Sequence, residues 1–203
     1  MRRAVALVAA MGALLVAAPV PAGNFELTPM VGFRIGGSFE EESSGEKLEL
    51  DEGAVYGLLL GFPLDDQSIV EVELAHNQTE LQSGSLFNGE PLFELDVDSI
   101  MAGGRYQSDR DGVKGFVAGG LGLTRFSPRG AGLDDEFAAV LSIGGGALIP
   151  LGKHLLVRLE GRGMGTFMID RTEIFCNESA CVIAIQGDGF LQAEFRVGMT
   201  ISF

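Results

Sequence analysis

Leu191-Gln192-Ala193-Glu194-Phe195-Arg196-Val197-Gly198-Met199-Thr200-Ile201-Ser202-Phe203 ends the given sequence. Odd positions are apolar and even positions are polar or small. That is the period of a β-strand with one face against an apolar medium. Thirteen residues is long for a strand in a soluble sheet and ample for a tilted strand that crosses a membrane. The segment before it repeats the pattern. Leu155, Val157, Leu159, Gly161, Gly163, Gly165, Phe167 and Ile169 share one face, while Arg158, Glu160, Arg162, Met164, Thr166 and Met168 share the other. Two arginines and a glutamate in mid-strand cannot face lipid without a large desolvation cost.

The same alternation recurs upstream. It runs through residues 27–36, 55–62, 70–75, 93–98, 113–124 and 137–149, for eight strands in all. The strand from Phe93 blurs between Met101 and Tyr106, where a bulge is expected to shift the parity. Tight turns are expected near Pro63-Leu64-Asp65-Asp66, Ser108-Asp109-Arg110-Asp111 and Pro150-Leu151-Gly152-Lys153. The other connections are longer, near residues 37–52, 79–92, 126–135 and 170–188. An even strand number, with short turns at one end and long loops at the other, predicts an all-β, eight-stranded, antiparallel up-and-down transmembrane barrel. Lipid offers no hydrogen-bond partners, so such a sheet must close on itself.

Composition narrows the functional classes. The 203 residues carry 14 Lys plus Arg against 28 Asp plus Glu, a formal charge of −14. With no basic run, nucleic acid is excluded as a partner. The chain has thirty glycines, and glycine recurs inside nearly every strand pattern. Gly144-Gly145-Gly146 lacks the Lys-Ser or Lys-Thr ending of a phosphate loop. Arg2 and Arg3, the apolar run Ala4 to Val20, and Val20-Pro21-Ala22 read as a secretory signal over residues 1–22, leaving 23–203 as the barrel domain. Removing two arginines takes the charge from −14 to −16. In an exported protein Cys176 and Cys181 are free to oxidise, and a small disulfide loop is expected. Two thiols without a nearby histidine do not make a metal site.

Pro29-Met30-Val31-Gly32-Phe33-Arg34-Ile35-Gly36-Gly37 and the closing alternation that ends in Phe203 resemble the first and last strands of the small eight-stranded outer-membrane barrels, the OmpA/OmpX/OmpW-like superfamily. The resemblance covers residues 24–203 and includes no peptidoglycan-binding domain. It implies the cell outer membrane, with Phe203 as part of the signal read by the barrel-assembly machinery. One departure stands out: the chain has two Tyr and no Trp for an interfacial girdle. Outer-membrane lipid, lipopolysaccharide, and an extracellular or small hydrophobic ligand are the expected partners of a monomer.

With polar faces inward, Arg34, Glu71, Glu73, Lys114, Arg158, Glu160, Arg162, Glu194 and Arg196 form a charge network inside the barrel, which Asp96 and Asp98 are able to join. Near-balance of sign is what a low-dielectric interior requires. Three uses are open: a salt-bridge scaffold, a proton or ion path, or a ligand-lined lumen. The scaffold is the adopted reading, because eight strands leave room only for side chains or one small ligand. Passage of hydrophobic compounds would need a pocket, with Met164, Met168, Phe116 and Phe126 as candidate lining. The acidic stretches, Glu40-Glu41-Glu42 with Glu46, Glu49, Asp51 and Glu52, and Asp134-Asp135-Glu136, read as solvated surface without the calcium-loop pattern. For lipid-modifying chemistry only His76 and His154 are available as bases, and Gln78 stands where a His-x-Ser arrangement needs its serine. No catalytic, cofactor-binding or metal residue is assigned.

Overall fold

The computed structural model describes residues 25–41, 47–83, 90–108, 112–129, 134–168, 174–176, 181–183, 185–186 and 189–203. The expected signal segment, residues 1–22, lies outside them. Eight strands build the wall: β1 Glu26–Ile35, β2 Gly53–Pro63, β3 Ser68–Ser83, β4 Glu90–Gln107, β5 Lys114–Pro128, β6 Glu136–Pro150, β7 Leu155–Met168 and β8 Gly189–Ser202. Each is antiparallel to its sequence neighbour, and β1 also pairs with β8, so the sheet closes.

The register sets the barrel's dimensions. Pro63 pairs with Ile69, then Arg105, Ala118, Gly144, Arg162, Glu194 and Arg34 follow partner to partner, and the path returns to β2 at Gly53. That shift of ten residues over eight strands tilts them by about 40° and gives a backbone diameter of roughly 17 Å. Long side chains from opposite walls therefore meet in the middle.

Alternation decides what faces where. On β1, Thr28, Met30 and Arg34 are buried while Val31 and Phe33 are exposed; on β8, Glu194, Arg196 and Thr200 are buried while Phe195, Val197 and Met199 are exposed. The exposed apolar residues form the outward band that a bilayer covers.

The short connections are tied by backbone bonds. Leu64 N–H donates to Ser68 O at 2.9 Å, Ser108 N–H to Gly115 O at 2.8 Å, and Leu151 N–H to Leu155 O at 2.8 Å. Asp65 caps the first turn by accepting from the Gln67 and Ser68 N–H groups at 2.8 and 2.7 Å, and these bonds hold its carboxyl below the ordinary 3.8. Phe25 and Phe203 meet at this same end, their rings stacked with centroids 4.5 Å apart.

Three sequence expectations are corrected. No register shift occurs between β4 and β5, so Met101 to Tyr106 keep their parity; the irregularity lies between Leu81 and Gln82 on β3. Next, β3 and β4 run well into the segment expected to be loop, pairing as far as Ser83 and Glu90. The polar sequence there has no lipid face to advertise a strand, yet the ladder continues above the membrane, and Lys47–Leu50 adds to it through Leu81 to Ser83. Finally, Asp96 and Asp98 share the outward face of β4 with Ile100 and Tyr106, because Leu95, Val97, Ser99, Met101 and Arg105 are the buried set.

Candidate functional site: the charged interior

Arg34, Arg105, Arg158, Arg162 and Arg196 interleave with Glu26, Glu71, Glu73, Glu160 and Glu194, five guanidinium groups against five carboxylates. The cluster spans the lumen. Arg34 on β1 donates to Glu194 on β8 at 2.9 Å. Glu194 also takes Arg162 at 2.9 Å. Arg162 grips Glu73 with both terminal nitrogens, at 2.9 and 2.7 Å, and Arg196 joins the same carboxylate at 2.8 Å. From Arg196 the path runs to Glu160 at 2.8 Å, then to Arg158 at 2.7 Å. Arg158 holds Glu71 at 2.5 and 3.1 Å, and its guanidinium carbon lies 4.6 Å from the Phe116 ring centroid. Arg105 then links Glu71 at 3.1 Å to Glu26 at 2.6 Å.

The local sequence makes this possible. Alternate positions on β7 and β8 (Arg158, Glu160, Arg162; Glu194, Arg196) point inward, while the facing positions of β4 to β6 include Gly103, Gly120, Gly144 and Gly146. A wall without side chains gives the long charged ones room. The remaining void there is a cavity of about 30 Å³, bounded by Glu73, Glu160, Arg162, Arg196, Ser142 and Gly144 among others. That volume holds roughly one water. Towards the long-loop end the interior turns apolar: Met101, Val140 and Met164 pack as a cluster, and Phe126 meets Phe190 edge-on at 6.2 Å.

Eight of the nine charged residues read from the sequence are joined in this cluster. Lys114 is not. It is half-buried at the start of β5, beside the short-turn rim, and makes no ion pair among the described residues. An amine there reaches water without crossing the lumen. Sequence reasoning missed two members. Arg105 was missed because the face of β4 was read inverted, with Asp96 and Asp98 inward, whereas Leu95, Val97 and Arg105 are the buried set; Glu26 lies one residue before the expected start of β1, on the same face as Thr28. Extending the β1 parity by one residue finds Glu26, and an arginine in mid-strand, which a lipid-facing position does not carry, is the signal for the true inward face of β4. Among the described residues the four candidate pocket residues are placed apart: Met164 and Phe126 belong to the apolar packing, Phe116 lies under Arg158, and Met168 is half-buried near the end of β7.

His76 and His154 are both far from the cluster. His154 is exposed in the third turn, where its carbonyl accepts from Ser202 N–H at 3.0 Å. His76 faces outward near the long-loop end, with Nδ1 2.8 Å from Asp98. Cys176 and Cys181 are directly opposite each other in the antiparallel pairing of Ile174–Cys176 with Cys181–Ile183.

The sequence matches the outer membrane protein beta-barrel domain family over residues 6–203. Among solved structures, neisserial surface protein A is similar with a TM-score of 0.57 at 16% identity, covering 89% of this chain and 99% of that one. The outer membrane protein OprG from Pseudomonas aeruginosa has a TM-score of 0.58 at 14% identity, covering 90% of this chain and 96% of that one. No curated protein sequence matches. At these identities the likeness is one of fold.

Proposed function

Because the chain belongs to the outer membrane protein beta-barrel domain family and so resides in the cell outer membrane, we propose that it is a non-enzymatic barrel with a structural or surface-binding role, its lumen closed by side chains. One observation carries this reading: ten charged groups neutralise one another from wall to wall, and the cavity among them measures about 30 Å³. An ion entering would have to displace charge-assisted bonds already satisfied in a low dielectric. Function then falls to the surfaces: the outward wall, which meets lipid and lipopolysaccharide, and the connections at the long-loop end. Residues 1–22 serve as the export signal, Phe203 as part of the assembly signal, and Cys176 with Cys181 as a disulfide. Opposite positions on antiparallel strands lie about 4.5–5.5 Å apart at Cα, within the span a disulfide needs. The working form is a monomer.

Planar-bilayer recording with the purified protein tests the closed lumen. No stable, selective conductance is expected. Reproducible unitary channels would overturn the reading. Replacement of His76 by Ala is expected to leave the lipid A of expressing cells chemically unchanged, whereas loss of a modification would reverse the assignment in favour of an enzyme.

A further inference from the structure

The outward wall changes character within one step of the alternation. Leu58, Leu74, Ile100, Leu123 and Ala139 are successive partners across β2 to β6, and all are apolar. Two residues further toward the long-loop end, the partners are Tyr56, His76, Asp98, Arg125 and Phe137. This row lies where the outward face leaves hydrocarbon, and it begins and ends in an exposed aromatic ring.

Its three central side chains touch yet keep bonding capacity. His76 Nδ1 is 2.8 Å from Asp98 Oδ1. Arg125 approaches Asp98 at 3.3 Å and Asp135 at 3.9 Å, and is 46% exposed. The Tyr56 hydroxyl has no hydrogen-bond partner among the described residues. Arg129 differs: it is already committed to Asp96 through two bonds of 2.6 and 2.7 Å.

We infer that the row Tyr56–His76–Asp98–Arg125 binds the sugar headgroup of an outer-leaflet glycolipid from the side, with the acyl chains lying on the apolar row beneath. The chemistry selects this occupant. A carboxylate between two donors repels a lipid that offers only a phosphate. A phosphorylated sugar offers hydroxyls to Asp98 and to the remaining ring nitrogen of His76, and oxygens to Arg125 and Tyr56, and its ring lies against an aromatic face. The inference rests on the proposed function, with the long-loop end placed at the cell surface, and names a partner of its outward wall.

The test is native mass spectrometry of the intact barrel released from mixed micelles containing lipid A and phosphatidic acid, whose headgroup is a phosphate alone, in equal amounts. Wild type is expected to retain lipid A at least about tenfold over phosphatidic acid, close to 1.4 kcal/mol in relative affinity. His76→Gln combined with Arg125→Gln is expected to bring the ratio to near one, while Arg129→Gln keeps the wild-type ratio. Equal retention of the two lipids by wild type, or an undiminished ratio in the double variant, overturns the inference. Gel mobility of unboiled samples checks that every variant is folded. Failure of the closed-lumen reading would show separately, as conductance.

Discussion

Glu73 is the residue on which the interior most depends. Its carboxylate receives both Arg162 and Arg196. Glu73→Ala leaves two buried guanidinium groups short of a partner, so a loss of about 3–5 kcal/mol is expected in the unfolding free energy of the vesicle-inserted barrel. Arg129→Ala, which breaks a half-exposed, solvent-screened pair, should leave the midpoint nearly unchanged. Urea midpoints in vesicles measure both. Asp65 has a pH signature instead. Its folded carboxyl titrates below the ordinary 3.8 because backbone N–H groups hold it charged. That contribution is fully present above the unfolded value and is lost as pH falls through the folded one. Asp65→Ala is therefore expected to lower the midpoint at pH 7, with the gap to wild type closing as pH falls through the lowered carboxyl value. A gap that widens in acid would contradict this assignment. At this scale the sequence was legible wherever alternation was unbroken. Arg158, Glu160 and Arg162 announce an inward face because no lipid-facing strand could carry them. Asp96 and Asp98 mislead for the converse reason: above the hydrocarbon, charge is free to face outward.

At the scale of elements, glycine placement is a packing requirement. A Cβ on Gly144 would lie 2.5 Å from the Arg162 Cβ, and there is no flexible end there to move aside. Gly144→Val is expected to cost about 1–3 kcal/mol by overpacking and to lower refolding yield. Gly152→Ala, in a turn with nothing within 4 Å, should stay within about 0.5 kcal/mol. Gly36 and Gly37, with φ of 82° and 110°, let the chain leave β1 and turn into Ser38–Glu41. The hairpin of Ile174–Cys176 and Cys181–Ile183 carries the proposed disulfide. Maleimide labelling of unfolded, unreduced protein should be nil and should rise to two labels per chain after reductant. Two labels without reductant would exclude the bond. Strand positions were readable from the alternation. The upper ends of β3 and β4 were not, because a strand with water on its outer face needs no apolar period.

For the whole molecule, the decisive event is closure of β1 against β8. Inside the seam, Arg34 meets Glu194 and Thr28 meets Thr200 at 2.8 Å, while Phe25 and Phe203 stack at its foot. Arg34→Glu alone and Glu194→Arg alone each place like charges together in a dry interior and are expected to abolish the mobility difference between boiled and unboiled samples. The double exchange should recover part of it, with a coupling of about 1–3 kcal/mol. Additive losses in the double variant would mean that this pair does not hold the seam.

By itself the sequence determined that eight strands form, which side chains face lipid on every strand but β4, and that the inward faces carry charges of both signs; each follows from a period of two against an apolar solvent. Only the tertiary structure decided which guanidinium meets which carboxylate. Arg34 and Glu194 are 160 positions apart, and Arg162 and Glu73 are 89 apart. Their meeting is set by the ten-residue shift of register around the closed wall, a property of the ring as a whole that no stretch of chain contains.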